Sequence, residues 1–396
     1  MTNYKNNNTF SFEIIKRIPG KLGRAGIIHT PHGDIKTPAF MSVGTKGEVK
    51  FVSMEDLYLI QAQAMLSNGY HLRNASFEIA ENGGLASWSG WNGPTLTDSG
   101  GFQVMSLGSG MGKVVSMKRE NDVINTDPKD RLAHVTEDGV RFHDPFTDQE
   151  DFIGPEESMQ IQCRIGADIH MAYDELTSLA DSYEYNVEAL ARTERWAIRS
   201  INEHKKHCDD LGYHQSLYGV LQGGRWEDLR RSTAKRFAEM DFDGYGLGGA
   251  FLKESLGDIL RWCCEELPET KPRHLLGLSH PDDILIGTEM GADTFDCVAP
   301  TVKQGMESCI QSMALSSCQS LQTVRFCWMR TVTAQPVKPD GRAESFVHCG
   351  NPEAQRVSTN ISTLLLCIIY ALLFALQRIQ DRQFWRIGLR NSRKLS

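Results

Sequence analysis

The 396-residue chain is 40% hydrophobic and 23% charged, a balance that suits a globular protein with room for one large barrel or two domains. Its opening, MTNYKNNNTF, lacks the apolar core of a signal peptide, and ten irregularly spaced cysteines exclude a secreted disulfide scaffold, so a cytoplasmic protein with mostly reduced thiols is expected. The net charge of −8 is uneven, with 12 Lys and Arg against 5 Asp and Glu in residues 301–396 and 30 against 45 before them, and so acidic a body excludes a broad nucleic-acid surface while allowing a local basic groove.

In chain order, residues 26–30 and 35–41 read as strands around the turn PHGD. Residues 55–66 have helical spacing. Leu96 leads into Asp98, and Gly100-Gly101 opens a turn. Residues 169–173 form a short apolar run that ends at Asp174-Glu175. A long helix over 182–207 follows, with Val187, Leu190, Ala191, Ile198 and Ile201 expected on its buried face. Residues 217–221 read as a strand ending in Gln222-Gly223-Gly224, and a helix over 226–240 comes directly after. Residues 244–247 run into Gly248-Gly249. Residues 274–278 form another strand. Ser279 is placed to cap a helix with Pro281 at its start and Ile284, Leu285 and Met290 inward. Residues 295–298 are the last strand in this rhythm.

This cadence fits a parallel α/β architecture. Asp98, Asp174, Gln222, Gly249 and Asp296 all fall at or just after strand ends. A (β/α)8 barrel gathers such positions at one face. A doubly wound sheet also collects ligands at strand ends, but it usually displays a phosphate-binding loop, and no G-x-G-x-x-G or P-loop stands in the right context.

Two aspartates stand out. Asp98, in TLTDSGGFQ, reads either as a turn residue bonding its own backbone or as a catalytic carboxylate. Asp296, in GADTFDC, lies in an apolar run, where a carboxylate is costly unless paired or functional. Two carboxylates in one pocket are what cleavage at a sugar C1′ requires. Gln222-Gly223-Gly224 and the run GLGG at 246–249 serve equally as helix-entry turns or as backbone that a ligand can approach closely. Asp174-Glu175 could equally cap the segment that follows. Cys263-Cys264 read as structural. Cys309, Cys318, Cys327 and Cys349 have no zinc-ligand spacing.

The motifs TLTDSGGFQVMSL, HMAYDE, YGVLQGG, FDGYGLGG, LLGLSHPDD and GADTFDCVAPT occur in this order, preceded by TPAFMSVGTKGEVK and NGYHL. Together they closely resemble the tRNA-guanine transglycosylases, or queuine tRNA-ribosyltransferases, over residues 10–301. The resemblance implies an irregular (β/α)8 barrel with a zinc-binding subdomain, acting as a pentosyltransferase in queuosine biosynthesis. Guanine at the wobble position of G-U-N anticodon tRNAs (those for Asp, Asn, His and Tyr) would be exchanged for a 7-deazaguanine base. Carried over, Asp296 matches the nucleophile that holds a ribosyl–enzyme intermediate, and Asp98 the general acid/base. Asp174 would accept from the purine N1–H and exocyclic amine, while Gln222 and the backbone N–H of Gly249 donate to O6. Phe102 and Leu276 would sandwich the flipped base, with Ser99, Gly100 and Gly101 in the same pocket. Gly277, Leu278, Ser279, His280, Pro281, Asp282 and Asp283 fall where the family meets RNA.

Departures from the family pattern bear on substrate and on the tail. Leu176 stands where cysteine is common, and Ala250 and Leu252 where the pattern is Leu-Ala-Val. Queuine users carry smaller groups at the Leu252 position, so the leucine argues for 7-aminomethyl-7-deazaguanine over queuine. After Thr301 the family's arginine-bearing anticodon reader is absent, with no arginine before Arg325. The family's zinc ligands, C-x-C-x-x-C and a later histidine, have no counterpart, since no C-x-C-x-x-C exists in the chain. Of the 35 glycines, 31 lie before residue 301. The expected domains are therefore a barrel core over 1–301 and an atypical tail over 302–396. The break is read as a reading-frame shift near residue 301; with the tail as written, weak stability and impaired tRNA binding are expected, and the Zn2+ and homodimer that the resemblance implies lack their ligand motif and main pairing region. Residues 361–376, ISTLLLCIIYALLFAL, number 16 where a membrane span needs ~20, and are read as a buried helix with a span as the alternative. Three competing functions remain in view: a retaining glycoside hydrolase, a non-catalytic tRNA-binding partner subunit, and an inactive gene product.

Overall fold

The computed structural model describes residues 10–50, 52–108, 133–144, 148–250 and 252–298. The tail over 302–396, with its apolar run and its cysteines, lies outside the described residues. Strands β1 (Ser11–Arg17), β2 (Arg24–Thr30) and β3 (Gly33–Thr37) form an antiparallel meander. The barrel then begins with β4 (Ala39–Val43), β5 (Met65–Asn68) and β6 (Thr95–Asp98). A second antiparallel meander, β7 (Ala133–Val135), β8 (Val140–Asp144) and β9 (Gln149–Ile153), is inserted before the barrel resumes. The remaining strands are β10 (Ile169–Met171), β11 (Ser216–Leu221), β12 (Gly244–Leu247), β13 (Arg273–Leu275) and β14 (Thr294–Cys297). These eight pair in parallel and close in the order β10-β11-β12-β13-β14-β4-β5-β6, so the expected irregular (β/α)8 barrel is present.

Alternation along the strands sorts the core into two layers. Met41, Val43, Leu66, Leu96, Ile169, Met171 and Val220 fill the barrel interior, and Ile28 and Ile35 of the first meander join them from below. Phe295, Leu275, Leu247 and Leu221 point outward and pack against Phe237, Ile259, Leu260 and Ile284 of the covering helices. The first meander plugs the N-terminal end of the barrel. Buried Arg24 pairs with buried Asp293 just before β14, donating from Nε at 2.9 Å and from Nη2 at 2.7 Å, and it also reaches the Lys271 carbonyl. At the same end, Asp168 accepts from the His32 backbone at 3.1 Å and the Thr95 backbone at 2.8 Å.

Several elements differ from the sequence expectation. Residues 35–41 are two strands in different sheets, because Pro38 has no N–H to extend a ladder. The expected helix over 55–66 stops at Leu59, and Met65 already belongs to β5. Its apolar spacing ran on because a buried strand follows within a few residues. The helix Tyr183–His207, capped by Ser182, falls where expected and buries Ile201 of its expected face, but it also buries Ala189, Thr193, Trp196, Ala197, Ser200 and His204 and leaves Val187 and Ile198 exposed. Small and polar groups face inward there because the neighbouring helix Pro155–Ile165 packs close against it. The strand expected over 274–278 ends at Leu275, and His280, not Ser279, precedes the helix Pro281–Glu289. Among the described residues, no helix is long and apolar enough to cross a membrane, and Cys163, Cys208, Cys263 and Cys264 are free thiols.

Candidate active site

The C-terminal ends of the barrel strands bring the expected polar residues to one mouth. Asp98 is the last residue of β6. Its Oδ1 accepts from the backbone N–H of Gly69 and Gly100, each at 3.1 Å, and its Oδ2 accepts from Asn68 Nδ2 at 2.6 Å. Gly100 can turn back toward the carboxylate because its φ is +80°, where a Cβ would meet Tyr70. Burial pushes the Asp98 carboxyl up to about 7, and the charge of Asp296 adds to the rise, against the pull of these three donors. The turn reading and the catalytic reading of Asp98 thus coexist: the residue bonds its own turn and still titrates near neutrality.

Asp296 occupies the third position of β14, two residues after Thr294 and on the same inward face, while Phe295 points out. Its Oδ1 accepts from the Gly277 backbone N–H at 2.9 Å and lies 3.1 Å from His274 Nε2. His274 Nδ1 is 2.9 Å from Thr294 Oγ1, and its Nε2 faces the Asp296 carboxylate, an acceptor, so Nε2–H donates to Asp296. One carboxylate oxygen is held by two donors, leaving the other for the mouth.

The second group in the mouth is Asp174 with Gln222. Gln222, immediately after β11, donates Nε2 to Asp174 Oδ2 at 2.7 Å, and both are buried. Burial pushes Asp174 up to about 6, opposed by the Gln222 amide. Gly249, two residues after β12, has φ +113°, and a Cβ on it would stand 2.8 Å from Gln222 Oε1 and 2.6 Å from Arg230 Nη2. Leu276 lies beside Gly248 and packs on the barrel interior. Phe102 is exposed at the mouth, 45% accessible, in the helix Gly101–Gly108 that Ser99 and Gly100 lead into. Of the stretch expected to meet RNA, Gly277 and Asp282 are exposed, and Ser279 and His280 are partly so. Leu278 and Asp283 are instead buried, with Asp283 paired to Lys253 at 3.1 Å, so these two side chains are turned from solvent. Glu175 also turns away, into an ion pair with Arg192 and a 2.7 Å bond from Tyr185 Oη.

Four supporting residues escaped the sequence reading. Asn68 ends β5 and could have been found by the strand-end rule that marked Asp98. His274 is legible only once the inward face of β13 is known. Arg230 is fully buried under the mouth, donating Nη1 to the Gly248 carbonyl at 2.7 Å and Nε to the Gly224 carbonyl at 2.9 Å. A charged residue on the inward side of an amphipathic helix was its only signal. Gln162 bridges β6 and β10, accepting from Thr97 Oγ1 at 3.0 Å and donating to the Met171 carbonyl at 2.9 Å.

A parallel eight-stranded barrel with two carboxylates and a donor–acceptor pair at its C-terminal mouth belongs to the class of barrel proteins whose strand ends form a polar ligand site. A family model described as queuine tRNA-ribosyltransferase matches residues 20–311. The chain is 40% identical over 296 residues to a queuine tRNA-ribosyltransferase of Shouchella clausii (strain KSM-K16), covering 74% of this chain and 71% of that protein. Over the same shares, it is 38% identical to one of Staphylococcus haemolyticus (strain JCSC1435) and 39% to one of Staphylococcus aureus (strain JH9). The chain belongs to the queuine tRNA-ribosyltransferase family, a family of pentosyltransferases. The match ends ten residues past the composition break at 301 and leaves the rest of the tail uncovered.

Proposed function

We propose that this protein exchanges guanine 34 of G-U-N anticodon tRNAs for 7-aminomethyl-7-deazaguanine through a ribosyl–Asp296 intermediate. The observation that carries the reading is the pair of unlike carboxylates at one mouth, Asp98 titrating near 7 beside Asp296 with one oxygen held and the other free. In the first half-reaction, Asp296 attacks ribose C1′ as the C1′–N9 bond breaks. The leaving electron pair on guanine takes the proton of Asp98. In the second, ionised Asp98 removes the N9 proton of the incoming base, whose nitrogen attacks C1′ and releases Asp296. The proton returns to where it began, so the cycle balances without hydrolysis.

Asp174 and Gln222 supply the purine edge: a carboxylate to accept from N1–H and the amine, and an amide to turn from Asp174 to O6. The Gly249 peptide N–H would join it. Phe102 and Leu276 flank the flipped base. The buried Asp–Gln pair favours a purine edge, with its donors and acceptor side by side, over a retaining glycosidase. Incubation with tRNA and 9-deazaguanine tests the intermediate: a covalent protein–tRNA band on a denaturing gel is expected from the parent and absent from Asp296→Asn. A band of equal strength in Asp296→Asn would overturn the assignment.

We further infer that residues 302–396 replace the anticodon-reading and zinc-binding region, which weakens tRNA binding and subunit pairing. The family's zinc quartet has no donor set here, since no C-x-C-x-x-C occurs, and no step above passes through a metal. Labelled-guanine exchange by the full chain, against that of a chimera carrying a relative's C-terminal region, tests this. A large gain in kcat/KM for the chimera is expected; equal rates would show the tail to be harmless.

A further inference from the structure

On the outer flank of the barrel, away from the mouth, Cys163, His170 and His204 meet in the core. Cys163 is in the last turns of the helix Pro155–Ile165, His170 is the middle residue of β10, and His204 is in the last turn of the helix Tyr183–His207. Ile169 and Met171 fill the barrel interior, so strand alternation sends His170 outward between the two helices. One candidate ligand atom from each of the three lies within 4.8 Å of the others, and Cys163 Sγ is 3.9 Å from His170 Nδ1. Both imidazoles are buried, at 0% and 4% accessible, and the Nε2 of each has no hydrogen-bond partner. Two orphaned ring nitrogens in a packed core are a cost that a ligand for them would remove. The adjoining loop adds a second cluster, Cys208, Asp209 and His214, of which Asp209 is exposed and His214 partly exposed.

We propose that Cys163, His170 and His204 form a structural Zn2+ site, with a water as the fourth ligand. One thiolate and two imidazoles are a donor set suited to a borderline-soft divalent ion. Bond lengths of about 2.0–2.3 Å place zinc ligands roughly 3.5 Å apart, so the trio must contract by about 1 Å on binding. The metal would cross-link β10 to its two flanking helices. It is separate from any metal of the tail and does not touch the base-exchange site.

The test uses the full chain with the tail thiols removed (Cys309→Ser, Cys318→Ser, Cys327→Ser, Cys349→Ser, Cys367→Ser) and Co2+ as the spectroscopic probe. One equivalent should produce a thiolate-to-cobalt charge-transfer band with tetrahedral d–d bands, displaced by Zn2+. Adding Cys163→Ser should abolish the charge-transfer band, and His204→Gln should weaken Co2+ binding at least about tenfold, the loss expected on removing a ligand. Absence of the band in the parent, or its persistence in Cys163→Ser, overturns the proposal. Should Cys163→Ser fail to fold, alkylation of Cys163 in the parent, followed by peptide mass spectrometry, decides the matter. Zn2+ should slow it at least about tenfold, and an unchanged rate overturns the site.

Discussion

Asp98 carries the residue-scale chemistry. Its carboxyl must hold a proton for the departing guanine, and burial beside Asp296 raises its pKa to about 7. Guanine exchange measured as kcat/KM should therefore fall as pH rises through about 7. Removing the neighbouring charge in Asp296→Asn should lower the Asp98 value, read by carbon NMR of labelled aspartate; an unchanged titration would separate the two carboxylates. The same raised value has a stability consequence. Between its ordinary 3.8 and about 7, folded Asp98 keeps a proton that the unfolded chain releases, so stability falls as pH rises across that window. Asp98→Asn should flatten that part of the melting-temperature profile. Gly249 is the second residue-scale prediction. Gly249→Ala combines φ +113° with a Cβ only 2.6 Å from Arg230 Nη2, and it should raise KM for the incoming base by about tenfold or more in steady-state kinetics.

At the scale of elements, the mouth depends on how strand ends are tied together. Arg230, on the helix Glu227–Ala238, gathers the Leu221 carbonyl at the end of β11 and the Gly224 and Gly248 carbonyls from the turns after β11 and β12. Replacing it by Arg230→Met leaves these buried carbonyls without their donor. A loss of about 3 kcal/mol in denaturant unfolding is expected, together with weaker base binding. A loss of stability with base affinity intact would show that the clamp holds the helix but not the pocket. The helix Tyr183–His207 carries the matching lesson for sequence reading. Its position and length were legible, yet of its expected buried face only Ile201 is buried. Thr193 and Ser200 face inward because they have polar partners there, the Glu175 backbone N–H on Thr193 Oγ1 and the Tyr173 backbone N–H on Ser200 Oγ.

For the molecule as a whole, acidic residues divide by barrel end. Asp168 and Asp293 precede their strands and serve the plugged N-terminal end, whereas Asp98, Asp174 and Asp296 sit at the open one. Arg24→Met should therefore cost about 3–5 kcal/mol by leaving Asp293 buried and unpaired, while kcat/KM of the remaining folded protein stays unchanged. A kinetic defect at full folding would mean that the plug reaches the mouth. Eight-stranded closure came only with the family resemblance, because β5 read as the end of a helix, but the parallel α/β cadence, the strand-end placement of Asp98, Asp174, Gln222, Gly249 and Asp296, and the family were legible in the sequence alone. Each rests on local chemistry: apolar periodicity, glycine turns and ordered motifs. Only the tertiary structure decided that Asp296 is held by His274 and Gly277, that Gln222 bonds Asp174, that Asp283 turns inward, and that Cys163 meets two histidines. Those partners lie up to dozens of residues apart in the chain, and only barrel closure and helix packing bring them within bonding distance.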